Sequence, residues 1–95
     1  MLLPRPKRQA MAAVYAFARR VDDIADAPDL ADDDKRRQLE DLRARIETEP
    51  GEEAMLVALA DARRRYPIPA QALHDLIDGG LMDTERRRYE TFDEL

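Results

Sequence analysis

Apolar residues recur at intervals of three and four along most of the chain. Ala10, Val14, Phe17, Val21 and Ile24 form the first stripe, with the spacing of one helix face. It predicts a helix that starts between Pro6 and Arg8 and runs to about Asp26. Pro28 ends it, because proline disfavours a helical conformation at the residue before it. Leu39, Leu42 and Ile46 predict a second helix, starting near Asp32 or Asp33, where aspartate suits the N-cap and the positive end of the dipole. Pro50-Gly51 reads as a turn. A third helix is expected from Glu52 to Arg65, with Met55, Leu56, Leu59 and Ala62 inward and Arg63, Arg64 and Arg65 at its negative end. Tyr66-Pro67-Ile68-Pro69 breaks it. A fourth is expected from Ala70 to Asp78, carrying Leu73, Leu76 and Ile77, with Gly79-Gly80 as its C-terminal stop. No alternating run of strand length occurs, so the fold class is all-α. Met55 and Met82 are expected in the core.

One signal near the end complicates this scheme. Thr91-Phe92-Asp93-Glu94 has the form of a capping box, in which Thr91 caps a helix whose third residue is Glu94. The chain stops at Leu95, and a one-turn helix is not stable alone. The sequence thus reads either as cut at the start of another helix or as a chance T-x-x-E match.

Composition narrows the function. Ninety-five residues allow one small domain, able to bury only about 60–65% of its unfolded surface. Charged residues make up 39% of the chain, and no apolar run approaches the roughly 18 residues of a membrane span. The basic residues after Met1-Leu2-Leu3 do not fit a signal peptide. There is no cysteine and one histidine, His74, which excludes disulfides, thiolate zinc sites and multi-histidine metal sites. The net charge of -5 opposes a nucleic-acid footprint. The picture is of a soluble, acidic, cytoplasmic chain. His74 reads as a surface or capping residue. The triplets Arg63–Arg65 and Arg86–Arg88 read as solvated helix or linker charge.

The chemistry concentrates on the first helix. Tyr15, Arg19, Asp22 and Asp26 fall within about 60° of one another around its axis, with Asp23 at the edge. Three aspartates in five residues at a helix C-terminus are disfavoured by a few tenths to about 1 kcal/mol each. Like charges at i, i+4 add about 0.2–0.5 kcal/mol. A hard divalent cation reverses the sign of every one of these effects. Mg²⁺ is held by one or two carboxylates plus substrate phosphates, and Arg19 on the same stripe is suited to grip phosphate. The competing reading is a solvated helix end, with Arg19 and Arg20 as local partners of the aspartates.

These residues resemble the squalene/phytoene synthase family. The resemblance rests on Leu2-Leu3-Pro4, Lys7-Arg8 and above all Ala13-Val14-Tyr15-Ala16-Phe17-Ala18-Arg19-Arg20-Val21-Asp22-Asp23-Ile24-Ala25-Asp26. It continues in Leu76-Ile77-Asp78-Gly79-Gly80-Leu81-Met82-Asp83 and Arg88 to Leu95, and is strongest towards the bacterial presqualene diphosphate synthases of hopanoid formation. It implies an all-α isoprenoid synthase that joins two prenyl diphosphates head to head, from farnesyl diphosphate to presqualene diphosphate or squalene. Asp22 and Asp26 match the Mg²⁺ ligands of the family's first aspartate-rich motif, with Asp23 between them as a further candidate. Arg19 matches the diphosphate-binding arginine, and Tyr15 a catalytic-site tyrosine beside the ionising diphosphate. NADPH enters if the product is squalene. The resemblance also allows peripheral association with the inner face of a membrane.

The family's second aspartate-rich motif is absent, as are the segment that normally precedes Leu2-Leu3-Pro4 and the signature expected soon after Leu95. Residues 1–95 are therefore expected to be the N-terminal portion of a single, longer all-α isoprenoid synthase domain, incomplete and inert alone. The alternatives are a phytoene synthase, a chain-elongating prenyltransferase and, from another class, a small non-catalytic helical interaction domain.

Overall fold

The computed structural model describes residues 5–48 and 51–93, with side chains as far as residue 85. The described residues form four helices and no strand: α1 (Arg5–Ala25), α2 (Asp32–Glu47), α3 (Ala54–Arg65) and α4 (Ala70–Asp93). None is long and apolar enough to cross a membrane. The breaks fall where proline and glycine predict them. α1 ends before Pro28, and Gly51 turns the chain with a φ of 67°. Pro50 lies outside the described residues. The stretch from Tyr66 to Pro69 separates α3 from α4.

α1 packs chiefly on α3 and α4, and α2 chiefly on α4. The expected apolar faces meet in one core of Phe17, Val21, Ile24, Leu39, Leu42, Ile46, Leu56, Leu59, Leu73 and Ile77, flanked by Val14, Met55 and Leu81. A smaller cluster of Ala10, Ala13 and Ala62, with Tyr66 and Ile68 against it, joins α1 to α3. Met82 corrects the expected core, being exposed, and Leu76 sits at the rim rather than inside.

α2 starts at Asp32, as expected, but its cap differs from expectation. Its N-cap is Ala31, in extended conformation without a side-chain cap, and Asp32, Asp33 and Asp34 occupy the first turn. There their charge still faces the positive end of the dipole. The other end of α2 is capped from a distance: Arg63 Nη1 donates to the Ile46 carbonyl at 2.8 Å, one of the acceptors a helix end leaves unpaired. Arg63 is thus a tie between α3 and α2, not free helix-end charge.

The largest correction concerns α4. Gly79-Gly80 does not stop it; the helix runs on to Asp93. Thr91 therefore lies inside a helix instead of capping one, and Glu94 lies outside the described residues. The reason for Gly80 is proximity. A Cβ added there would lie 2.8 Å from Val21 Cγ1 and 3.5 Å from Leu39 Cδ1, whereas one added at Gly79 meets open space. Gly80 lets the backbone of α4 approach α1 and α2. One turn on, the buried Thr84 donates its hydroxyl to the Gly80 carbonyl at 3.1 Å, so the stripe Leu73, Ile77, Gly80, Thr84 continues unbroken through the pair.

Opposite effects follow for the two glycines. Gly79→Ala should raise stability by about 0.5–1 kcal/mol, as alanine restrains a helical position. Gly80→Ala should lower it: overpacking costs about 1–3 kcal/mol, which alanine's helix propensity offsets by about 1 kcal/mol. Val21 is buried and β-branched, so it has little room to yield. Thermal midpoints of the two variants check this, and equal shifts would contradict the close approach.

Candidate functional site

Every site residue picked from the sequence lies on or just beyond α1. The core stripe of α1 turns inward, which leaves Tyr15, Arg19, Asp22, Asp23 and Asp26 exposed on the outer side. Tyr15 is 70% exposed. The Asp26 N–H donates to the Asp22 carbonyl at 2.8 Å. This last α-turn fixes the two carboxylate positions about 6 Å apart along the axis.

Arg19 has two aspartates within reach by spacing, at i+3 and i+4. The structure pairs it with Asp23, at 3.4 Å from Nε to Oδ1. Both side chains are nearly two-thirds exposed, so the pair contributes only about 0–1 kcal/mol and is readily exchanged. Asp22 has no ion-pair partner among the described residues. Arg20 turns the other way, to Glu53 at the start of α3. Glu53 also accepts from Arg45 of α2 at 3.2 Å, joining three helices. Among the described residues its Oε1 accepts no hydrogen bond and lies 2.5 Å from Arg20 Nη2 in an ion pair.

Two hard carboxylates on one helix face, with a guanidinium one turn below, suit Mg²⁺. That ion needs one or two carboxylates, completes its shell with water and phosphate, and is seldom caged by protein alone. Among the described residues no group of three or more His, Cys, Asp or Glu side chains converges to hold a metal. Asp22 and Asp26 stand one turn apart on this face and fall short of such a group. Beside Tyr15 runs an open groove of about 630 Å³, lined by Lys7, Ala10, Met11, Val14, Tyr15, Tyr66 and Ile68. It is predominantly apolar and adjoins the polar stripe through Tyr15.

A second polar cluster has no local sequence signal. His74 of α4 bonds Glu47 at 2.8 Å through Nε2, and Arg43 Nη1 lies 3.3 Å from its Nδ1. Arg43 also donates to Asp78 and Glu40. The Asp78 hydrogen bond raises the Arg43 pKa against the opposing effect of burial, with the charges of Asp78 and Glu40 adding to it. This cluster clasps α2 to α4. His74 is a bridge between helices and not a surface or capping group.

The sequence profile of squalene/phytoene synthases matches residues 1–95. The chain belongs to this family. Curated relatives agree. The chain is 44% identical over 95 residues to the phytoene synthase of Mycobacterium tuberculosis, covering 99% of this chain and 31% of that protein. It is 41% identical over 101 residues to the 15-cis-phytoene synthase of Synechococcus elongatus, covering 100% and 32%. To the chloroplastic phytoene synthase of Daucus carota the figures are 35% over 101 residues, 100% and 24%. The chain thus spans a third or less of the relatives it matches. No solved structure matches it. The isoprenoid-synthase expectation of an all-α fold is met by the four helices.

Proposed function

We propose that the full-length protein carrying these residues joins two prenyl diphosphates head to head. The observation that carries this reading is the exposed stripe of Tyr15, Arg19, Asp22 and Asp26 on α1, in a chain whose family is defined by squalene and phytoene synthases. Asp22 and Asp26 would hold Mg²⁺. When bound, the ion neutralises the diphosphate leaving group. Arg19 forks onto phosphate oxygens, exchanging a weak tie to Asp23 for a charge-assisted one. Tyr15 stands where the polar stripe meets the groove, with its ring beside the carbon that loses diphosphate. Its π-face and phenolic oxygen suit the allylic cation that forms as the C–O bond breaks. The double bond of the second prenyl chain then attacks that cation to form the new C–C bond, and the cation left on the second chain is discharged by loss of a proton. The groove along Met11, Val14, Tyr66 and Ile68 offers apolar cover for a prenyl chain.

Relatives named phytoene synthase, 44%, 41% and 35% identical, support a phytoene-type product over presqualene diphosphate or squalene. NADPH belongs only to the squalene alternative. An apolar product argues for work at the cytoplasmic face of a membrane. The test is to incubate the full-length protein, Mg²⁺ and NADPH with farnesyl diphosphate or with its homologue one isoprene unit longer. Phytoene from the longer substrate supports the reading, presqualene diphosphate or squalene from the shorter one redirects it, and no condensation with either refutes it.

Arg19→Lys gives a second check. Lysine keeps the charge but loses the planar fork that matches phosphate geometry. Prenyl diphosphate affinity should fall by about tenfold, equivalent to the roughly 1.4 kcal/mol of one charge-assisted hydrogen bond. Calorimetry with a non-hydrolysable prenyl diphosphate analogue measures it. Affinity equal to wild type would leave Arg19 as nothing more than the partner of Asp23.

A further inference from the structure

The choice Arg19 makes between its two aspartates has a consequence for the metal. Counting about 100° per residue, Tyr15, Asp26, Arg19 and Asp23 lie about 20°, 40°, 60° and 100° around the axis from Asp22. Asp22 and Asp23 therefore bracket the stripe, with Arg19 between them. The guanidinium is drawn to the Asp23 edge, 3.4 Å from Nε to Oδ1. Had it moved to Asp22, at i+3, it would have neutralised a carboxylate that the proposed site needs for a cation. We propose that Asp23 is a positioning residue. It holds Arg19 at the far edge of the stripe and so keeps Asp22 open to the divalent ion, and it is not itself a metal ligand.

The inference rests on the reading of Asp22 and Asp26 as metal ligands. Three features of the chain support the separate role of Asp23. Its carboxylate is already engaged by Arg19. It stands farther around the helix from Asp22 than Asp26 does. Its pair is highly exposed and so weak enough to open when phosphate arrives. Phosphate, with two or three oxygens for the fork, would draw Arg19 from Asp23 without passing through Asp22. Asp23 is then a stand-in for the substrate's charge while the site is empty of diphosphate.

The full-length protein tests this with two readouts: Mn²⁺ binding by electron paramagnetic resonance in the absence of substrate, and turnover as a function of Mg²⁺ concentration. In Asp23→Asn, Arg19 is expected to settle on Asp22. Metal affinity should fall about twofold, the scale of one exposed i, i+4 pair, while kcat at saturating Mg²⁺ stays at the wild-type value. The deficit should shrink in roughly 1 M salt, where the Debye length is about 3 Å. Asp23→Glu, which restores an acidic partner for Arg19, should recover the affinity. A collapse of kcat at saturating Mg²⁺ would make Asp23 a ligand and overturn the proposal. Unchanged metal affinity in Asp23→Asn, beside impaired affinity in Asp22→Asn, would overturn it alone. Unchanged affinity in Asp22→Asn would mark the failure of the metal-site reading beneath it.

Discussion

Asp22→Asn and Asp26→Asn, each made in the full-length protein, should lower turnover by about a hundred- to a thousandfold. Metal assistance to a leaving oxygen contributes several kcal/mol to the transition state, and each 1.36 kcal/mol is about a factor of ten in rate. Asparagine keeps the shape of the side chain and removes the charge that attracts the cation. Stability should move the other way. Asp22 is exposed near the negative end of α1 and has no ion-pair partner among the described residues. Removing its charge relieves repulsion from Asp26, at i+4, worth about 0.2–0.5 kcal/mol. The metal-free Asp22→Asn protein should therefore melt at or slightly above the wild-type temperature while its activity is lost. Steady-state kinetics and a thermal melt on the same preparation check both halves. Wild-type turnover in either variant would show that the aspartates are a solvated helix end.

That divergence between activity and stability is the signature the sequence already carries. Three aspartates crowded at a helix C-terminus break local rules, and rules broken together tend to mark function. The stripe was legible because helical periodicity alone places Tyr15, Arg19, Asp22 and Asp26 on one face. Which aspartate Arg19 takes was not legible, since i+3 and i+4 are both within reach. Nor was the His74 cluster, whose partners Glu47 and Arg43 stand 27 and 31 residues away. No periodicity announces a contact of that range.

The same contrast runs through the fold. α1, α2 and α3 end two to four residues before the proline or Gly turn that predicts each break, and these signals act locally on the backbone. α4 misled because glycine has two uses that look alike in a sequence. It permits the left-handed conformation that closes a helix, as Gly51 permits a turn with φ of 67°. It also permits close approach, as Gly80 does against Val21 and Leu39. A cue was nevertheless present. Leu73, Ile77, Gly80 and Thr84 keep helical spacing across the glycine pair, and a stop would have stranded Thr84 and Leu81 off the stripe. The capping box failed for a related reason: T-x-x-E opens a helix only where the chain is not already helical, and α4 carries Thr91 within it.

Phe17→Ala should be the most destabilising single change on α1. Phe17 is 0% exposed, and it sits in the core with Val21, Leu39 and Ile77. Truncating a buried phenylalanine costs about 3–5 kcal/mol, part lost transfer energy and part cavity. Against a typical total of about 5–15 kcal/mol, that is a large share, and only at the low end of the range does it leave part of the population unfolded. Tyr15, two residues earlier on the same helix, is the internal control. Its ring is 70% exposed, and Tyr15→Ala should shift stability by no more than about 0.5 kcal/mol. The two positions are about 200° apart around the axis, so backbone propensity is nearly the same and only the surroundings differ. Denaturant unfolding of both variants, with Phe17→Leu as a volume-sparing intermediate expected to lose less than about 1.5 kcal/mol, gives the measurement. Phe17→Ala within 1 kcal/mol of Tyr15→Ala would mean that α1 does not present Phe17 to the core, and the outward placement of Tyr15, Arg19, Asp22 and Asp26 would fall with it.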